Sequence, residues 1–280
     1  MRALSEVGRQ VLHDAHLSPP VHAVCLEALT RPGRLFGPRP VWARLFLAWI
    51  DALAVEGSSC GTLLPAAVAC ECLGTGFDLI DDVYDHAHGP ALDRELTNAL
   101  PAGVALLQLA QEAVLRLDLP LERRARASAA LTRASRRVFT AQAEDYALRR
   151  QPRATQDVVL TIVRLRSGTL GAAPCHCAAL LTGAPWRTVA LAGRFGRALG
   201  CAAQLEDDLA DRVDDLRSGR QTVPTMLVQL YPAAPELVEA TTWVLIQRYL
   251  QEAVQAVQRL PAHVRTEPLW AFLPPGMRAA

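Results

Sequence analysis

Apolar positions recur along this chain at helical spacing, and no segment sustains the period-two alternation of a half-buried strand. The pattern predicts helices over residues 4–16, 22–29, 41–56, 63–85, 93–117, 121–149, 154–181, 186–211, 222–230 and 236–260, with a short one near 268–272. Turn residues punctuate them: Ser18-Pro19-Pro20, the stretch 38–40, Gly57-Ser58-Ser59, Gly89-Pro90, Gly183-Ala184-Pro185 and Tyr231-Pro232. No Gly/Ser-rich or Pro-rich linker divides the chain. The expected fold class is therefore all-α, a single large helical bundle over residues 1–280, with helices long enough to line a deep apolar cavity.

Composition adds little to that picture. With 51% hydrophobic and 20% charged residues over 280 positions, the chain is globular in type and can bury a core. A formal net charge of +1 gives no bulk electrostatic reason to bind nucleic acid. Every basic side chain other than histidine is Arg; Lys is absent. Residues 1–20 lack the continuous apolar core of a signal peptide, and no stretch is expected to reach the roughly 18 apolar residues of a membrane span. Seven cysteines without a secretion signal predict reduced thiols and a cytoplasmic protein. Cys70 and Cys72, like Cys175 and Cys177 around His176, are two apart on predicted helices. Such pairs point to opposite sides and cannot chelate one ion, so buried apolar roles are expected.

The chemistry concentrates in two places. Asp81-Asp82-Val83-Tyr84-Asp85 puts Asp81 and Asp85 on one helical face, with Asp82 beside them. Three carboxylates on one turn repel one another unless cations bridge them, and hard oxygen ligands on one face suit Mg²⁺ that shares its remaining positions with water and a phosphate. Alone, the cluster could equally be a solvated acidic helix end. A second copy changes the balance: Gln204-Leu205-Glu206-Asp207-Asp208-Leu209-Ala210-Asp211 repeats the Asp-Asp-x-x-Asp spacing after another small-residue apolar helix. Two such clusters opposite each other would grip one diphosphate through several Mg²⁺ ions. A third stretch, 164–174, carries Gly168, Gly171 and Pro174 in a helical pattern. Two readings stand side by side: close helix packing, or a break that sets Arg166 near an anionic ligand.

Together the two aspartate motifs and Gly219-Arg220-Gln221-Thr222-Val223-Pro224 resemble the trans-isoprenyl diphosphate synthase family, which carries Asp-Asp-x-x-Asp, Gln-x-x-Asp-Asp-x-x-Asp and Lys-x-Thr-Leu-Pro. The resemblance extends to the helix entry Leu64-Pro65-Ala66-Ala67-Val68-Ala69-Cys70-Glu71, to Gln142 and Asp145 in a Gly-Gln-x-x-Asp-like segment where Ala141 replaces Gly, and to Arg166-Ser167-Gly168 where the family has Lys-Thr-Gly. It runs from about residue 39 to the C-terminus. It implies the isoprenoid synthase fold, usually a homodimer, and a cluster of Mg²⁺, three ions in number, that ionises an allylic diphosphate. It further implies Asp81, Asp85 and Asp207 as direct ligands, with Asp82, Asp208 and Asp211 as ligands or anchors. Arg166 and Arg220 would hold the diphosphate, a task that suits the guanidinium fork. Gln204 and Gln142 would orient neighbours or the developing cation. No stable membrane insertion is implied.

The departures from the family pattern direct the functional expectation. Elongating members hold isopentenyl diphosphate with Gly-Lys-Arg-x-Arg-Pro, a His ahead of the first motif and an Arg pair after it. Here Leu35-Phe36-Gly37-Pro38-Arg39-Pro40 keeps only the final Arg-Pro, Gly74 stands where the His belongs, and His86-Ala87-His88-Gly89-Pro90 offers no Arg pair before Arg94. The loss of several charge-assisted hydrogen bonds, each worth roughly 1.5 to 3 kcal/mol, would disable acceptor binding. The expectation is thus a class IB terpene cyclase, a lyase acting on one linear prenyl diphosphate. Gly74 and Gly76 hint at a deep cavity, favouring geranylgeranyl over farnesyl diphosphate as substrate. The alternatives are a chain-elongating prenyltransferase or one using another acceptor. Phe77, Tyr84 and Tyr146 could offer ring faces to a carbocation, and Arg248-Tyr249 resembles a diphosphate-contacting pair. Asp78, one turn before the first motif, has no evident role.

Overall fold

The computed structural model describes residues 2–53, 60–86, 94–148 and 154–279; the side chains of 60, 85, 86, 94–96, 278 and 279 also lie outside the description. It contains thirteen α-helices and no strand among the described residues: α1 (Arg2–Asp14), α2 (Pro19–Thr30), α3 (Val41–Ala52), α4 (Leu64–His86), α5 (Arg94–Leu115), α6 (Leu121–Leu148), α7 (Gln156–Leu165), α8 (Ser167–Leu181), α9 (Trp186–Ala210), α10 (Arg212–Ser218), α11 (Val223–Leu230), α12 (Pro235–Gln258) and α13 (Glu267–Trp270). The all-α expectation holds. The turns expected at Gly57-Ser58-Ser59 and Gly89-Pro90 lie outside the described residues.

Residues form two compact units. The first comprises Met1–Thr132, His176–Pro185 and His263–Leu269. Its centre is α4, where Ala66, Ala67, Val68, Ala69, Cys70, Cys72 and Leu73 are almost wholly inaccessible to solvent. By length and composition the helical stretch Gly61–Tyr84 could cross a membrane, which the sequence alone did not suggest, but its most apolar window is 83% buried inside the protein and reads as a core helix. Small residues let its neighbours close in. A Cβ on Gly76 would stand 2.8 Å from the Gly103 carbonyl oxygen of α5, and one on Gly74 would overlap the indole Nε1 of Trp42 on α3. The expectation that Gly74 and Gly76 deepen a cavity therefore fails: both positions are filled by adjoining helices.

Glu71 organises the same region. Proline occupies the N-cap of α3 at residue 40 and supplies no side-chain acceptor. The Glu71 Oε1 atom accepts the Ala43 N–H at 2.8 Å, and the carboxylate also takes the Trp42 N–H, so α4 caps α3 from outside. Glu71 is fully buried, and that burial pushes its carboxyl up to about 7.

The second unit comprises Arg133–Cys175, Trp186–Ala262 and Trp270–Ala280, with α9 packed along α12. The helix expected over 154–181 is two. Its break falls at Arg166, whose φ of −90° and ψ of −88° leave the helical region, while Pro174 lies inside α8. Gly168 and Gly171 serve close packing, since a Cβ on Gly171 would come within 2.2 Å of the Gly196 carbonyl oxygen. The packing reading thus holds for Gly168 and Gly171, and a helix break is present at Arg166. The helix expected over 186–211 ends at Ala210, and α10 follows, closed by Gly219 at φ +72°. Thr222 and Thr225 make a reciprocal capping box that starts α11.

Candidate functional site

In the first unit, Asp78 and Asp82 are i and i+4 on α4 and share one face. Each is met by an arginine from the segment between α2 and α3: Arg34 Nη2 stands 2.5 Å from Asp78 Oδ2, and Arg31 Nη1 donates to Asp82 Oδ2 at 2.8 Å. Burial pushes the Asp78 carboxyl up and Arg34 opposes the shift, while the hydrogen bond to Asp82 raises the Arg31 guanidinium. Asp78, without a role in the sequence, is therefore an ion-pair partner. Asp81 is half-buried on the same helix, and the side chain of Asp85 lies outside the description. Phe77 is buried in the core and Tyr84 is exposed.

The arginine-bearing turn is closely built. Gly33 donates to Pro38 O and accepts from Val41, and Phe36 donates to Leu29 O at 2.7 Å. Gly33 takes φ +78°, Arg39 is a non-glycine at φ +55°, and a Cβ on Gly37 would overlap the Arg31 carbonyl oxygen.

In the second unit, the end of α9 divides its acids between two environments. Asp207 and Asp211 are exposed. Partial burial and the neighbouring Asp211 charge raise the Asp207 carboxyl, and burial with Asp207 raises Glu206. Asp208 turns inward, 4% exposed, and burial pushes it up to about 7 against the opposing hydrogen bond from Gln204 and the charge of Arg220. Gln204 Nε2 donates to Asp208 Oδ1 at 2.7 Å, and Ser167 Oγ donates to Gln204 Oε1 at 2.5 Å. Arg166, released from the helix by the break, pairs with buried Asp145 at 3.4 Å, and Arg220 approaches Asp215 at 3.7 Å. Asp145, Arg166, Ser167, Gln204, Asp208 and Arg220 line one small cleft.

Among the expected site residues, the structure therefore gathers Arg166, Gln204, Asp208 and Arg220. Gln142 is buried on α6. Arg248 and Tyr249 are not brought together: Arg248 is exposed, whereas the buried Tyr249 hydroxyl accepts from Arg164 Nε at 3.0 Å. Ser167, Asp215, Arg31 and Arg34 were not singled out as site residues. Gln221 was quoted only as part of a motif, yet it donates to Leu148 O at 2.8 Å and accepts the Ala154 N–H at 2.7 Å. Among the described residues no three carboxylates, imidazoles or thiolates gather around one ion-sized position. The six described cysteines are buried thiols.

An all-α fold carrying a buried Asp-Arg-Gln cluster and two Asp-Asp-x-x-Asp helices defines an isoprenoid synthase architecture. Solved structures agree on the fold. A geranylgeranyl pyrophosphate synthetase from the archaeon Geoglobus acetivorans superposes with a TM-score of 0.79 at 16% identity, covering 99% of this chain and 95% of that one. A Caulobacter crescentus polyprenyl synthase complexed with calcium and isoprenyl diphosphate gives 0.77 at 21% identity, covering 93% and 90%. The polyprenyl synthetase family model matches residues 21–223, and the chain belongs to that family. It is 31% identical over 191 residues to (2E,6E)-farnesyl diphosphate synthase of Mycobacterium tuberculosis, covering 62% of this chain and 52% of the relative. A geranylfarnesyl diphosphate synthase of Natronomonas pharaonis is 29% identical over 181 residues, covering 59% and 53%. The chain thus spans about half the length of the curated relatives it matches.

These findings overturn the expectation of a terpene cyclase. The relatives are named for making prenyl diphosphates. Just ahead of the segment 35–40, Arg31 and Arg34 pair with Asp82 and Asp78, so cations outside the family's motif position lie beside the first aspartate motif.

Proposed function

We propose that this chain is a trans-prenyl diphosphate synthase, a chain-elongating prenyltransferase acting on an allylic diphosphate and isopentenyl diphosphate. The observation that carries the reading is that both aspartate motifs fall inside the span 21–223 matched by the family model, and that curated relatives of the chain are named diphosphate synthases.

In this reaction the allylic C–O bond breaks, a C–C bond forms to the acceptor alkene, a proton is lost from the acceptor carbon and diphosphate leaves. Asp207 and Asp211 fit a divalent cation: they are two exposed carboxylates one helical turn apart, and burial with the Asp211 charge raises the Asp207 carboxyl. They would hold Mg²⁺, which would neutralise the charge that develops on the departing diphosphate. Arg166 and Arg220 would donate to that diphosphate, each held ready by a buried acid, Asp145 and Asp215. Gln204, fixed by Ser167 and Asp208, would present an oriented amide to the cleft. We take the chain to act as a homodimer.

The test is incubation with Mg²⁺ and C10, C15 or C20 allylic diphosphates, with and without isopentenyl diphosphate, followed by mass analysis. A longer prenyl diphosphate that forms only with both substrates supports the reading. A product from the allylic substrate alone refutes it.

A further inference from the structure

Arg166 and Arg220, two cations of the cleft in the second unit, come from different parts of the chain, and one side chain joins the pieces that carry them. Gln221 Nε2 donates to Leu148 O, 73 positions earlier, at 2.8 Å, and Gln221 Oε1 accepts the Ala154 N–H, 67 positions earlier, at 2.7 Å. A carbonyl on one side and an N–H on the other fix which end of the amide is which. Leu148 closes α6, so its carbonyl is one of those that a helix C-terminus leaves without an intrahelical partner. Ala154 stands directly before Thr155, the N-cap of α7. The end of α6 and the start of α7 are thereby tied to the residue next to Arg220.

Both cations depend on the tied pieces. Asp145 on α6 pairs with Arg166, and Arg166 is itself the C-cap of α7. The Arg220 backbone is held on both sides: its N–H donates to Asp215 O and its carbonyl accepts from Thr225 Oγ1, each at 2.9 Å. Gln221 lines the same cleft as the two arginines.

We propose that Gln221 is a positioning residue, a clip that sets the spacing between Arg166 and Arg220 and so fits the cleft to one diphosphate. That the diphosphate belongs to an allylic substrate rests on the prenyl-transfer reading above; the clip itself does not. Two guanidinium forks act together only when both meet the same anion in register. A shift of one relative to the other weakens that grip and removes stabilisation from the departing diphosphate.

The test is calorimetric titration of the full chain with inorganic pyrophosphate in excess Mg²⁺, for wild type, Q221M and Q221E. Q221M keeps the side-chain length and loses both hydrogen bonds. It should bind about tenfold more weakly, the cost of one charge-assisted contact put out of place. Q221E supplies a signature that packing alone would not. Its ionised carboxylate accepts from Ala154 but has no proton for Leu148 O, whereas its protonated form reproduces both bonds of the amide. Relative to wild type at the same pH, Q221E should therefore recover affinity as pH falls from about 8 to about 5. In steady-state elongation, Q221M should lower kcat/KM for the allylic diphosphate about 100-fold and leave KM for isopentenyl diphosphate unchanged. Wild-type affinity in Q221M, or a Q221E deficit that does not change with pH, overturns the clip. If wild type makes no elongated product but its pyrophosphate binding shows the same dependence on position 221, the clip stands and the prenyl-transfer reading falls.

Discussion

Single side chains show most clearly how burial sets the chemistry. Glu71 has no route to water, and its Oε2 lacks a partner while Oε1 holds the start of α3. Its carboxyl, pushed up from an ordinary value near 4.5 to about 7, binds a proton more tightly folded than unfolded. Its contribution to stability is therefore fully present below pH 4.5 and is lost as pH rises through 7. Glu71→Gln should flatten the fall in unfolding free energy that denaturant titrations read between pH 4.5 and 7.5, a fall on the order of 3 kcal/mol. An unchanged slope would mean the carboxyl is not held as the geometry indicates. At the second motif, Asp207→Asn removes a ligand charge from an exposed position while leaving the buried Gln204-Asp208 bond intact. Turnover should drop about 100-fold or more, with helix content by circular dichroism unchanged.

At the scale of elements, glycine acts in two distinct ways that the same substitution separates. Gly171 lets α8 touch α9 backbone to backbone, with no flexible neighbour to give way. Gly219 instead supplies a left-handed turn after α10 and has open space around it. Gly171→Ala should lower unfolding free energy by about 3 kcal/mol through overpacking, and Gly219→Ala by about 1 kcal/mol through backbone strain alone. Equal losses in chemical denaturation would contradict this division. Helix positions were legible because apolar spacing and turn residues agree, so predicted and observed ends mostly fall within a few residues. The break at Arg166 was not. Arg-Leu-Arg-Ser contains no Gly or Pro at the site of rupture, and the distortion comes with a tertiary pairing to Asp145 that local pattern cannot reveal. Pro174, the residue that local rules point to, is accommodated within α8.

Across the whole molecule, the family was readable from the order and spacing of three motifs, but the reaction was misjudged. The misjudgement has a physical origin. Cations were sought at the family's positions, whereas the pairing of Arg31 with Asp82 and of Arg34 with Asp78 is a tertiary contact that no linear spacing reveals. Likewise, Gly74 and Gly76 read as space in one dimension and are filled in three. The division of Asp207 and Asp211 outward from Asp208 inward was legible in principle, since adjacent helical residues face different sides. What the inward residue meets was not.

The central claim is that two diphosphates react here. It is tested most directly by supplying isopentenyl diphosphate labelled in its carbon chain with an unlabelled allylic diphosphate and Mg²⁺, and counting label in the product against inorganic pyrophosphate released. The account predicts one pyrophosphate for each labelled unit incorporated, with the label in a longer prenyl diphosphate. Pyrophosphate release accompanied by an unlabelled hydrocarbon or alcohol would contradict it.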